Sequence, residues 1–187
     1  MNTKTKKLST VSMVLCGMFA ALVAIGAFIQ IPVPYMDYFT LQFFFVLLAG
    51  LILGADKGAI SVGCYVLLGL VGVPIFAAGG GIGYIFRPSF GYLVGFIVSA
   101  YVTGKVCEKL KPSYKNYLLA CLAGFVVTYA IGIVYKFIIL NFYAHTPATL
   151  GVIFLSCFPL DMPGDFVLCL LAAGVGLRMR KSGFYLS

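Results

Sequence analysis

From Leu8 to Ile31 the chain carries no charged side chain. Wound as an α-helix at about 1.5 Å per residue, that run reaches roughly 36 Å and can cross a hydrocarbon layer of about 30 Å. Such a segment either sits in a large soluble core or lies in lipid. Composition decides between the two. Of 187 residues, 62% are hydrophobic and only 10% charged, and mean hydropathy is +1.08. A soluble fold of this size needs more charge to cover its surface. Lys4, Lys6 and Lys7 resemble the start of a secretory signal. The apolar run that follows is too long for one, and no clear cleavage site ends it. It reads as a retained first helix.

Further apolar segments follow at 39–54, 59–76, 90–104, 117–143 and 163–177. The second is short for a full span; it is either tilted or extended by the Pro32–Tyr38 region. Backbone in lipid must satisfy its own hydrogen bonds, so these segments should be helices. The alternation expected of a β-barrel is absent. The expectation is an all-α integral membrane bundle of six transmembrane helices, one domain over residues 1–187.

Basic residues set the orientation. With the N-terminus inside, the inner segments hold Lys4, Lys6 and Lys7, then Lys57, then Lys105, Lys109, Lys111 and Lys115, then Arg178, Arg180 and Lys181. Of the 13 Lys and Arg, only Arg87 and Lys136 remain. Positive charge on alternate loops places both ends in the cytoplasm: a basic N-terminus over 1–7 and a tail over 179–187. The net charge of +8 is therefore a topology signal and not a nucleic-acid footprint. The six cysteines form no CxxC pair and read as small apolar fillers.

Small residues form rows. Ser12, Cys16, Ala20 and Ala24 repeat every four positions, with Gly17 and Ala21 in parallel. Gly50, Gly54 and Gly58 repeat likewise, as do Gly91 and Gly95. Such rows let helix backbones approach closely in lipid. Most suit packing within the chain; the first-helix row suits a partner subunit as well.

Three outer regions break the apolar pattern. In the first, Pro32 and Pro34 fix an extended turn, and Thr40 and Gln42 follow as hydrogen-bonding groups. The second runs from Gly79 to Ser89; its glycines, Gly80 and Gly81 among them, let backbone approach a ligand. It lacks the Lys-Ser/Thr ending of a phosphate loop. The third, Pro159 to Asp165, leads into the last helix.

Arg87, Lys136, Asp161 and Asp165 are the charges near membrane depth, costly there unless paired or facing a polar cavity. Either they form structural ion pairs or snorkel to water at the interface, or they line an outward-facing pocket. In the pocket reading, Arg87 or Lys136 holds a carboxylate and Asp165 accepts from ligand N–H groups. Tyr35, Tyr84, Tyr92, Tyr129 and Tyr135 supply walls with hydroxyl tips. His145 stands alone, a poor metal candidate. No GxSxG, HExxH or paired catalytic carboxylate is present, so neither an enzyme nor a bound cofactor is expected.

The chain resembles the BioY family, biotin-binding S components of energy-coupling factor (ECF) transporters. The resemblance rests on Pro32-Val-Pro34 with Thr40-Leu-Gln42, on Leu48 to Gly54, on Tyr65 to Ala77, on Arg87 to Phe96, and on Pro163-Gly-Asp165. It implies an S-component fold in a prokaryotic plasma membrane, capturing biotin from outside. It implies partners: a transmembrane T subunit, met through Ala20 and Ala24, and two cytoplasmic ATPases. The rings would bind among Tyr84, Tyr92 and Asp165, the carboxylate near Arg87 or Lys136, with the 79–83 loop closing over them.

One departure stands out. The family commonly has a Lys three residues after the Pro-Gly-Asp aspartate; here that position is Leu168, while Lys136 follows Val134-Tyr135. Either Lys136 supplies the charge from a neighbouring helix, or the substrate is another small carboxylate such as lipoate or a biotin precursor. A stand-alone secondary transporter is a third reading, though no internal repeat supports it.

Overall fold

The computed structural model describes residues 9–32, 38–144, 146, 148–157 and 161–183. Lys4, Lys6, Lys7, Leu8, Pro34, Tyr35, His145 and Pro159, named above, lie outside the described residues.

The described chain is mostly helical. The helices are α1 (Thr10–Phe28), α2 (Gln42–Leu53), α3 (Ala55–Val71), α4 (Phe90–Lys109), α5 (Tyr114–Ile138), α6 (Leu150–Cys157) and α7 (Asp161–Lys181). Two short strands, β1 (Gln30–Pro32) and β2 (Tyr38–Thr40), pair antiparallel with Gln30 opposite Thr40. They give the proline-bearing segment the extended flanks its sequence called for. Among the described residues, α1, α4, α5 with the turn that follows it, and α7 are long and apolar enough to cross a membrane.

The Ser9 side chain caps α1 by accepting from the amide of Ser12 at 3.2 Å. α2 has 12 residues, about 18 Å of helix, too short to reach across a bilayer in contact with lipid. It is instead wrapped by α1, α3, α4, α5 and α7. All its residues but Phe44 and Phe45 are buried. Gly54 turns the chain straight from α2 into α3 at φ 81°, a backbone setting that suits glycine. The segment between α5 and α7, which falls between the apolar segments at 117–143 and 163–177, contains α6, an eight-residue helix too short to announce itself by periodicity.

The glycine rows are meeting surfaces. A Cβ on Gly50 would come 2.5 Å from the carbonyl oxygen of Ala100, and one on Gly104 2.4 Å from the amide of Ala55. On the α5 side of α4, a Cβ on Gly124 would meet the hydroxyls of Thr103 and Ser99 at 2.3 and 2.6 Å. Helix α4 thus lies at backbone distance from α2, α3 and α5. In its last turn, Glu108 Oε1 accepts from the Ala55 amide at 2.9 Å and Oε2 lies 3.8 Å from Lys105 Nζ. Arg180 donates to the buried Tyr117 hydroxyl at 3.1 Å, joining α7 to the start of α5. The first-helix row is internal too: Ser61 donates to the carbonyl of Cys16, and Ala20 is 7% exposed.

Gly104→Ala should overpack the α3–α4 contact and cost about 1–3 kcal/mol of stability. Gly63→Ala, where nothing lies within 4 Å, should cost little. Thermal unfolding of the purified protein in detergent compares the two.

Candidate functional site

A cavity of about 100 Å³ opens at the end of the bundle where α2, α4 and α7 begin and α5 finishes. Thr40, Gln42, Tyr84, Tyr92, Tyr129, Lys136 and Asp165, all expected from sequence, line it together. They come from five separate stretches of chain.

Each wall has a local cause. Pro163 fits the first turn of α7, where no intrahelical amide is needed. Gly164 leaves room for the ring of Phe39, which a Cβ would meet at 2.5 Å. Asp165, next in line, lines the cavity and accepts from the Tyr129 hydroxyl at 2.8 Å. Across the cavity Gln42 accepts from Thr40 at 3.2 Å and donates to the buried Tyr65 hydroxyl. Tyr65 in turn donates to the carbonyl of Ile75 at 3.2 Å, so α2 and α3 hold the loop beyond α3.

That loop is built on aromatic rings. Phe76 lies 5.5 Å from Tyr65 and 4.6 Å from Tyr84, seated where Gly69 has no side chain. Gly80 and Gly81 do not line the cavity. Gly81 has φ 101° and its amide donates to the carbonyl of Gly69 at 2.7 Å; a Cβ on Gly80 would strike the carbonyl of Val73 at 2.3 Å. The glycines shape the turn, and their neighbours Ala77 and Ala78 reach the cavity from this loop, as Tyr84 does.

Arg87 is exposed and outside the cavity lining, its guanidinium 5.4 Å from the ring centre of Tyr84. Tyr135 does not line the cavity either; it donates to the carbonyl of Ile85 and clamps the loop from α5. Two further glycine notches set the α4–α5 wall. Tyr135 fills the space at Gly91, and Tyr92 fills the space at Gly132.

Sequence reasoning passed over Phe39, Phe43, Ala77, Ala78, Ser89, Leu93 and Phe96 as lining residues. Apolar walls carry no signal in a chain this apolar. Asp161 also lines the cavity, one helical turn before Asp165. Lys136 is thus brought to one cavity with two carboxylates, while Leu168 is buried in the core at 5% exposure. Aromatic walls with a few convergent polar and charged groups suit a small amphipathic ligand with both donors and a carboxylate. Among the described residues no group of three His, Cys, Asp or Glu could hold a metal ion.

Tyr129→Phe removes the hydroxyl that Asp165 accepts from and should lower ligand-free stability by about 1–2 kcal/mol. Thermal unfolding without ligand measures it.

Comparison with known proteins gives one consistent result. The family model described as "BioY family" matches residues 1–183. The probable biotin transporter BioY of Lysinibacillus sphaericus is 40% identical over 177 residues, covering 94% of this chain and 90% of that protein. The biotin transporter BioY of Thermotoga maritima is 39% identical over 169 residues, covering 88% and 93%. The crystal structure of the S-component for biotin from an ECF-type ABC transporter superposes with a TM-score of 0.82. It shares 25% identity and covers 99% of this chain and 97% of that one.

Proposed function

The chain belongs to the BioY family, and from that premise we propose that it is the biotin-capturing membrane subunit of an ECF-type transporter. The observation that carries the reading is the cavity, in which Lys136, Asp161 and Asp165 stand among Tyr84, Tyr92 and Tyr129. Biotin has a carboxylate at one end and urea N–H groups at the other. Asp165 and Asp161 accept from the N–H groups, and the tyrosine rings cover the fused rings. Lys136 holds the carboxylate as a point charge. Arg87, exposed beside Tyr84, draws the anion toward the opening. No bond is made or broken; the protein is a binding subunit and not an enzyme.

In this reading α1 to α5 and α7 are the six crossing segments of one domain, with α2 shielded from lipid by its neighbours. Lys57, Lys105, Lys109, Lys111, Lys115, Arg178, Arg180 and Lys181 gather at the end opposite the cavity. By the positive-inside rule that end is cytoplasmic and the cavity faces out. Both chain ends then lie on the cytoplasmic side of a prokaryotic plasma membrane. Release inward requires a T subunit and two ATPases. Because Ala20 is buried and Ala24 half-buried, a partner finds its small-residue face one position along, at the exposed Gly17 and Ala21.

Calorimetric titration of the detergent-purified protein with biotin, lipoate and dethiobiotin tests the ligand. Biotin should bind tightest, and Asp165→Asn and Lys136→Gln should each weaken it by about 10-fold or more. Lipoate binding without biotin binding would overturn the substrate and leave the fold reading intact. Gly17→Leu should keep biotin affinity and reduce uptake by the assembled transporter; unchanged uptake would remove this face from the contact.

A further inference from the structure

Tyr92 forms part of the cavity wall from the first turn of α4. Its ring is fixed on two sides. It fills the notch at Gly132, where a Cβ would come within 2.5 Å of it, and it meets Tyr129 edge to face at 5.8 Å. Those contacts set the plane of the ring but not the direction of its hydroxyl. The hydroxyl lies 3.1 Å from Sγ of Cys157, the last residue of α6.

Helix α6 touches the protein sparingly. Ile153 and Cys157 are its buried residues, at 1% and 0% exposure, while Leu150, Val152, Phe154 and Leu155 are exposed. Among the described residues, Cys157 makes the one side-chain hydrogen bond from α6 to another element. The other buried cysteines differ. Cys16 and Cys169 face backbone carbonyls, Cys169 that of the core residue Cys121, and Cys107 faces Arg180 at the far end of the molecule. Cys157 is the cysteine whose sulfur meets a cavity-lining side chain.

We propose that Cys157 is a positioning residue for the ligand: its thiol fixes the Tyr92 hydroxyl, and so the polar pattern that wall presents beside Tyr129 and Asp165. The thiol stays reduced and touches no substrate. Either group can donate in this pair, and a thiol is a weak partner in both roles. The bond therefore selects one direction of the Tyr92 O–H at modest strength. The inference rests on the reading of the cavity as a biotin site, but its first measurement does not need biotin.

The experiment uses the full chain with tyrosine labelled with ¹³C at Cζ, the Tyr92 signal being assigned with Tyr92→Phe. In ligand-free protein, Cys157→Ala should shift the Tyr92 signal and Cys157→Ser should return it toward wild type. An unmoved signal would overturn the proposal. Titration with biotin follows. Cys157→Ala should weaken binding about 3- to 10-fold, the scale of one ordinary hydrogen bond. Cys157→Ser should restore most of it, and Cys157→Ala on a Tyr92→Phe background should lose nothing more. A loss that persists undiminished in the Tyr92→Phe background would mean that Cys157 acts by packing, and would also overturn the proposal. If wild type fails to bind biotin while the Tyr92 signal moves as expected, the positioning stands and the assigned ligand falls.

Discussion

The structure depends on how closely α4 is allowed to approach its neighbours. In lipid there is no water to expel from between apolar helices, so association relies on contact area and short distances. Gly50 and Gly104 bring α4 against α2 and α3; Gly124 brings α5 against Ser99 and Thr103. At the cavity end the same helix pair changes use. Gly91 and Gly132 no longer bring backbones together but admit the rings of Tyr135 and Tyr92. One small-residue seam therefore closes the bundle at one end and opens room for aromatic walls at the other.

That arrangement accounts for what was legible in the sequence. The apolar run of α1, the segments of α4, α5 and α7 and the extended flanks of the proline turn follow from length, charge and proline chemistry. So do the polar site residues: Thr40, Gln42, Lys136 and Asp165 stand out because polar groups are rare here, and rarity near membrane depth marks a cavity. The tyrosines were visible for the same reason. Position within the site was not. Arg87 and Lys136 look equivalent as cations, yet only Lys136 lines the cavity, because its helix faces inward while Arg87 follows a turn at the surface. Gly80 and Gly81 signal an irregular loop, and sequence cannot tell a glycine that lines a cavity from one that lets Ala77 and Ala78 line it.

The same limit applies to small-residue rows. Ser12, Cys16, Ala20 and Ala24 have the spacing of a partner face, and so do Gly17 and Ala21. Periodicity names a stripe without naming its occupant. The neighbour decides: Ser61 of α3 reaches the carbonyl of Cys16, and the first row is taken up inside the chain.

Leu168 and Lys136 stand in different surroundings. A lysine at 168 would have to leave a core position that is now 5% exposed, on the same helix as Asp161 and Asp165. Lys136, on α5, lines the cavity together with Asp161 and Asp165 of α7, so both signs of charge stand at one site and attract over a distance that a polar cavity screens only in part. A cavity lined by both signs of charge and by aromatic rings suits a ligand with an N–H end and an anionic end, because each end then meets a group of the complementary kind.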